Sequence, residues 1–275
     1  MSVLVVGVVL VRNEDVFLEQ AIRNVAEFCD RIVAYDHLSV DRTPSVLERL
    51  AGEFDHLTVT RTPDARDSHR AVEPLAGSNA WALGVDGDEL YDHAGLARLR
   101  VLLEQGAYAN AFHLKGHVLN CTELNSPATV ATGFMAPPSR PVTKLFNLNA
   151  VEHWSGCPER LHAGTAVFRP GFDWSSLRYV SEETEWSTDP LRMLHVCFLR
   201  RSSQDDADEV AARRNLSESG MFYRGPRGVL HRLRQRRRLD PRIKEYRARG
   251  STWKQEWYAR GPAVSVDARP FFGNT

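Results

Sequence analysis

Val3-Leu4-Val5-Val6-Gly7-Val8-Val9-Leu10-Val11 is apolar throughout and rich in valine, and Arg12-Asn13-Glu14 closes it with charge. An unbroken apolar run of this length reads as a strand buried on both faces, as in a parallel sheet. The period then changes. Phe17, Leu18, Ala21, Ile22, Val25 and Phe28 recur at helical spacing and predict an amphipathic helix over 15–29. Ile32–Tyr35 reads as a second strand. Thr43-Pro44 supplies an N-cap and an N1 proline for a second helix, whose inner face is Val46, Leu47 and Leu50. Leu57–Thr60 is a third strand. A polar stretch over 64–78 reads as a loop running into a helix, and Ala80–Val85 is a fourth buried strand.

Strand and helix alternate here in a way that implies a right-handed, three-layer α/β sheet. Ligands of such sheets bind at the carboxyl ends of the strands. Arg12, Asp36 and Asp86 each follow a strand, so all three are expected on one edge. A helix is expected over 94–105. Strands are then expected over 110–119, 142–148, 165–168 and 191–198, with 121–141 as a loop framing a second substrate. Strands are expected to stop near residue 200, and 204–247 to be charged and helical. The expected division is 1–203 as the main domain, split into halves 1–118 and 119–203, and 204–275 as a helical, basic extension.

Composition is that of a globular chain: 275 residues, 43% hydrophobic, 25% charged and a formal net charge of zero. The neutral balance points to no polyanionic partner. Cys29, Cys121, Cys157 and Cys197 form no CxxC pair and fit a reducing cytoplasm. The apolar N-terminus lacks a basic leader, and Arg12 ends it too early for a signal peptide or a membrane span. The stretch 224–249 carries eleven Arg or Lys against two acidic residues. It reads either as a solvated helix face or as a peripheral contact with an anionic membrane or acceptor; no nucleic-acid motif accompanies it. Trp253 and Trp257, at helical spacing, offer an anchor for the main domain, a second subunit in a homodimer, or a membrane surface.

Asp86-Gly87-Asp88-Glu89 is the sharpest chemical feature. Two carboxylates one residue apart at a strand end suit a hard divalent cation bridging a diphosphate, and Gly87 allows close backbone approach. The alternative is an acidic turn. Asp36 is placed to accept from a base or ribose, or else to close a turn before the second helix. Arg66 and Arg70 read either as guanidinium donors to a diphosphate or as a solvated face. His153, Cys157 and His162 match no zinc spacing.

The series Val11-Arg12-Asn13-Glu14, Asp36-x-x-Ser39-x-Asp41-x-Thr43 and Trp81-Ala82-Leu83-Gly84-Val85-Asp86-x-Asp88-Glu89 resembles glycosyltransferase family 2, nearest its lipopolysaccharide core β-glucosyltransferase branch. Lys144-Leu145-Phe146 resembles that branch's Arg-Leu-Phe strand. Trp154–Glu159 stands in the place of its Gly-x-x-His-Glu segment, with Pro158 where the branch has His. Leu194-His195-Val196 with Arg200-Arg201-Ser202 resembles its late His-Tyr…Arg-Ser stretch. The resemblance covers about residues 1–205. It implies a GT-A fold and an inverting, metal-dependent transfer of sugar from a nucleoside diphosphate donor to an acceptor hydroxyl. Val11, Arg12, Glu14, Asp36, Arg66, Arg70, Asp86, Gly87 and Asp88 would bind the nucleotide sugar. Asp88, with Asp86 and His195, would hold Mn²⁺ or Mg²⁺, and Glu159 would be the base. The competing readings are a sugar-phosphate nucleotidyltransferase, which would normally carry a glycine-rich loop where Arg12-Asn13-Glu14 stands, and a non-catalytic sugar-nucleotide-binding protein.

Overall fold

The computed structural model describes residues 3–205 and 256–273. Strands β1 (Leu4–Val11), β2 (Arg31–Asp36), β3 (Leu57–Arg61) and β4 (Ala80–Val85) lie parallel in the order β3-β2-β1-β4. The seven-stranded sheet continues through β9 (Lys144–Asn147), which runs antiparallel to β4, then β6 (His113–Lys115) and β12 (Leu177–Tyr179). The protein is thus a mixed α/β fold around a large, mostly parallel sheet.

Side-chain alternation in β1 explains its unbroken apolar run. Val5, Val9 and Val11 face one way and pack with α1 (Leu18–Ala26), α2 (Thr43–Glu53) and α4 (His93–Glu104) through Leu18, Ile22, Leu47, Leu96 and Leu99. Val6 and Val8 face the other way, into a second core with Phe112, Phe146 and Trp154. Both faces are sealed, so polar residues have no place in the strand. Gly7 interrupts the valines because a Cβ there would lie 3.1 Å from Cys29 Sγ and 3.3 Å from Ile32 Cγ1. The second layer is lighter than the first. It consists of the one-turn helix α3 (Asp67–Arg70), a 3-10 turn at Glu73–Leu75, and the hairpin of β10 (Val151–Ser155) and β11 (Thr165–Phe168).

Three local expectations change. Thr43 opens α2 without capping it, because its Oγ1 accepts the Glu14 N–H at 2.9 Å; Pro44 keeps its place in the first turn. The stretch 110–119 is split between sheets, β6 in the first and β7 (Val118–Leu124) in the second. Most of 121–141 is not loop. β7 pairs with β8 (Val130–Ala136) in a hairpin whose turn is held by Asn125 Oδ1, which accepts from the Thr129 and Val130 N–H groups.

The second sheet has the order β14-β8-β7-β13-β5, with β5 at Glu89–Tyr91, β13 at Met193–His195 and β14 at Ala263–Asp267. Strands therefore do not end near residue 200. β14 adds to β8, and Phe271 enters the main core, where its carbonyl accepts from Asn24 Nδ2 at 2.8 Å. The expected basic helices fall on 206–255, outside the described residues. Among the described residues, no helix is long and apolar enough to cross a membrane.

Candidate active site

β4 delivers Asp86, Gly87 and Asp88 to a cleft of about 560 Å³ between the two sheets. Gly87 lies where a Cβ would fall 2.7 Å from Glu14 Oε2, and its N–H donates to that oxygen at 3.1 Å. The expected close backbone approach is present, with Glu14 as the partner. β5 and β13 pair Glu89 with His195, and β7 sets Asn120 on the other side of His195.

Charge is concentrated here. Asp86 Oδ1 lies 2.8 Å from Arg160 Nη1 and 3.1 Å from Lys144 Nζ. Lys144 Nζ also reaches Glu89 Oε1 at 2.5 Å. Arg201 Nη1 donates to Asp88 Oδ2 and lies 3.5 Å from Glu14 Oε1. Burial raises the Asp86 pKa, but Arg160 and Lys144 outweigh it and hold the group below the ordinary carboxylate value. Glu89 goes the other way: burial and then Asp86 push it up to about 8. Among the described residues, Glu14, Asp86, Asp88, Glu89 and Glu159 set five carboxylates against the three cations Lys144, Arg160 and Arg201. Arg160 Nε and Arg201 Nε are buried without a hydrogen-bond partner.

His195 Nδ1 donates to Asn120 Oδ1 at 2.8 Å, which fixes the tautomer and leaves Nε2 as an acceptor 3.9 Å from Asp88 Oδ2. Burial pulls the His195 pKa down to about 4, so its ring is neutral near pH 7. A neutral imidazole nitrogen beside a carboxylate oxygen, with the other ring nitrogen anchored, is a donor pair suited to a divalent cation. Both carboxylates are also held by cations, Asp88 Oδ2 by Arg201 and Asp86 Oδ1 by Arg160 and Lys144. No group of three or more His, Cys, Asp or Glu is assembled for a metal among the described residues.

Glu159 lines the same cleft, buried, with Oε1 3.5 Å from His162 Nδ1 and 3.8 Å from Arg160 Nη2. Burial raises its pKa; Arg160 and the His162 hydrogen bond more than offset this, so the carboxylate stays ionised. Asp36 ends β2 at the same sheet edge. Its Oδ1 accepts from the Ser39 N–H at 2.9 Å; its buried Oδ2 has no hydrogen bond, and Arg61 Nε is 3.5 Å away. Val11 O accepts from the His37 N–H at 2.9 Å, and Arg12 Nη1 reaches His37 O at 3.4 Å.

Arg66 and Arg70 are exposed on α3 and paired with Asp64 and Asp67 at 2.5 and 2.6 Å. Neither lines the cleft. The cations at Asp86 and Asp88 are instead Lys144, Arg160 and Arg201, residues with no role assigned from sequence. Lys144 and Arg201 lie inside the quoted motifs, and Arg160 directly follows Glu159. Their signal was proximity to a motif; nothing local announced a buried charge.

No protein-family model matches the chain, and no curated protein matches it. Solved structures resemble part of it. TarS of S. aureus matches at 15% identity and TM-score 0.31 over 44% of this chain and 22% of its own. The mannosyltransferase PcManGT of Pyrobaculum calidifontis, in complex with GDP-Man and Mn²⁺, matches at 20% identity and TM-score 0.32 over 45% of this chain and 36% of its own. The 4-diphosphocytidyl-2C-methyl-D-erythritol synthase of Anaerococcus prevotii matches at 8% identity and TM-score 0.33 over 55% and 72%. The chain thus spans about a fifth and a third of the first two proteins. Likenesses of this extent assign neither a family nor an activity.

Proposed function

We propose that this chain is a family 2-like, GT-A-type glycosyltransferase that moves a sugar from a nucleoside diphosphate donor to an acceptor hydroxyl with inversion. The observation that carries the reading is the convergence of Asp86, Asp88, His195 and Glu159 on one cleft at the carboxyl ends of the sheet strands. Asp36 Oδ2, buried and without a hydrogen bond at the end of β2, takes the nucleoside side of the donor. Asp88 and His195 Nε2 would hold Mn²⁺ or Mg²⁺; even with Glu89 largely protonated near pH 7, the carboxylates outnumber the cations, which suits a bound cation. When bound, the ion would offset charge on the departing diphosphate. Arg160 and Arg201 bring buried, unsatisfied Nε donors to the same charge. Asp86, held by Lys144 and Arg160, orients those cations.

Glu159 is ionised and lies on the cleft wall beyond Asp86, where it can accept the proton of an incoming hydroxyl. Attack on the anomeric carbon forms the new glycosidic bond, and the bond to the diphosphate breaks with its electron pair leaving on the phosphate oxygen. Glu159→Gln tests the assignment. Transfer should fall by about 10²- to 10⁴-fold while nucleoside diphosphate affinity is kept. Unchanged transfer removes Glu159 from the chemistry.

A further inference from the structure

Beyond Asp86, the cleft changes sign. β9 separates β4 from β6 in the sheet, and β6 ends in Lys115. Lys115 Nζ has one hydrogen bond, to Thr143 O at 3.1 Å, and that carbonyl is shared with His113 Nε2 at 3.0 Å. Arg140, on the same wall, lies with its guanidinium carbon 4.4 Å from the centre of the Trp257 ring. Neither cation has a carboxylate partner among the described residues. Burial first, and then Lys144 and Arg140 nearby, push Lys115 down to about 7 against a weaker upward pull from Glu89, which is too distant to form an ion pair with it. The donor diphosphate does not supply that counter-charge, because its cations are Arg160 and Arg201 on the β4 side of β9.

The cleft also has an aromatic wall. Trp174 is 51% exposed at the cleft, edge-on to Phe112 at 5.6 Å and to Phe168 at 5.3 Å. An exposed indole held rigidly by other rings offers a flat apolar face to a sugar ring. Glu159 and His162 line the cleft as well.

Building on the transferase reading, we propose that the acceptor is a saccharide bearing an oxyanion, with the oxyanion bound by Lys115 and Arg140, the sugar ring against Trp174 and the reacting hydroxyl toward Glu159. Direct calorimetry tests this with three probes, glucose, sodium glucuronate and glucose 6-phosphate, each with a saturating nucleoside diphosphate present. The charged sugars are expected to bind about tenfold or more tightly than glucose, the size of a charge-assisted hydrogen bond. The preferred probe identifies the oxyanion as carboxylate or phosphate. The Lys115→Met/Arg140→Gln variant should lose the preference, keep glucose binding and melt no lower than the parent protein. Equal affinities, no binding by any of the three, or a preference that survives in the variant overturns the proposal. Competition between charged sugar and nucleoside diphosphate also overturns it, because the cations would then belong to the donor. Failure of the transferase reading is seen separately, as nucleoside diphosphates that do not bind at all.

Discussion

The two ends of the cleft are built from the same sheet, one strand apart, and carry opposite charge excess. At β4, five carboxyl groups face three cations; at β6, Lys115 and Arg140 form no ion pair with a carboxylate among the described residues. Burying a charge is costly unless it is paired, so an excess kept in a folded cleft marks a place for a ligand of the other sign. On the proposed reading, the difference separates a divalent cation with its diphosphate at one end from an anionic acceptor at the other. Lys144, on the intervening β9, belongs electrostatically to the carboxylate end.

Lys144→Met is the strongest way to break the comparison. It leaves buried Glu89 without a cation and partly exposed Asp86 with Arg160 alone, and removing one partner of a buried pair costs about 3–5 kcal/mol. Urea unfolding measures the loss. Adding Glu89→Gln should recover part of it. A loss below about 1 kcal/mol would mean the cluster is more hydrated than its burial implies.

Acid titration should show the next largest effect. The His195 pKa is about 4 folded, against an ordinary 6.5, so between those values the unfolded chain takes up a proton that the cleft refuses. Stability from this group is complete above pH 6.5 and is lost as pH falls toward 4, by at most about 3 kcal/mol. His195→Asn should flatten that limb of the stability curve. A limb unchanged in the variant would place the titration elsewhere.

The smallest effect sharpens the contrast by its sign. Lys115→Met removes a desolvated cation and strands no carboxylate, so stability at pH 7 should rise by about 1 kcal/mol. The gain should shrink as pH rises from about 7 toward 10.5, where unfolded and folded lysine both become neutral. Destabilisation comparable to Lys144→Met would erase the distinction between the two ends.

These contrasts also mark what could be inferred from sequence. β1 and β4 were legible because each is buried on both faces and closed by charge, a local pattern, and β2 and β3 because they alternate with helices in the chain. Asp36, Asp86 and Asp88 followed, since strand ends share an edge. β14 was not, because its pairing depends on contacts far apart in the chain: Val266 of β14 aligns with Ala131 of β8. Asn, Ser, Pro and Gly in 121–141 outweighed the partial alternation of burial along β8, and so hid the β7–β8 hairpin. Composition also concealed the cations. Arg66 and Arg70 precede the Asp86 strand in sequence, yet the chain around α3 turns them to solvent beside Asp64 and Asp67. Arg201, more than a hundred residues on, reaches Asp88 because β13 carries the chain back alongside β5.

The central claim is that the carboxylate end binds a metal and a nucleoside diphosphate together. Thermal unfolding with UDP, GDP, dTDP and CDP, each with and without Mn²⁺, tests it directly on the parent protein and on Asp88→Ala. The expected result is a rise in melting temperature with one diphosphate, growing with its concentration, dependent on Mn²⁺ and absent in Asp88→Ala. No shift with any of the four, or a shift indifferent to both metal and Asp88, would contradict it.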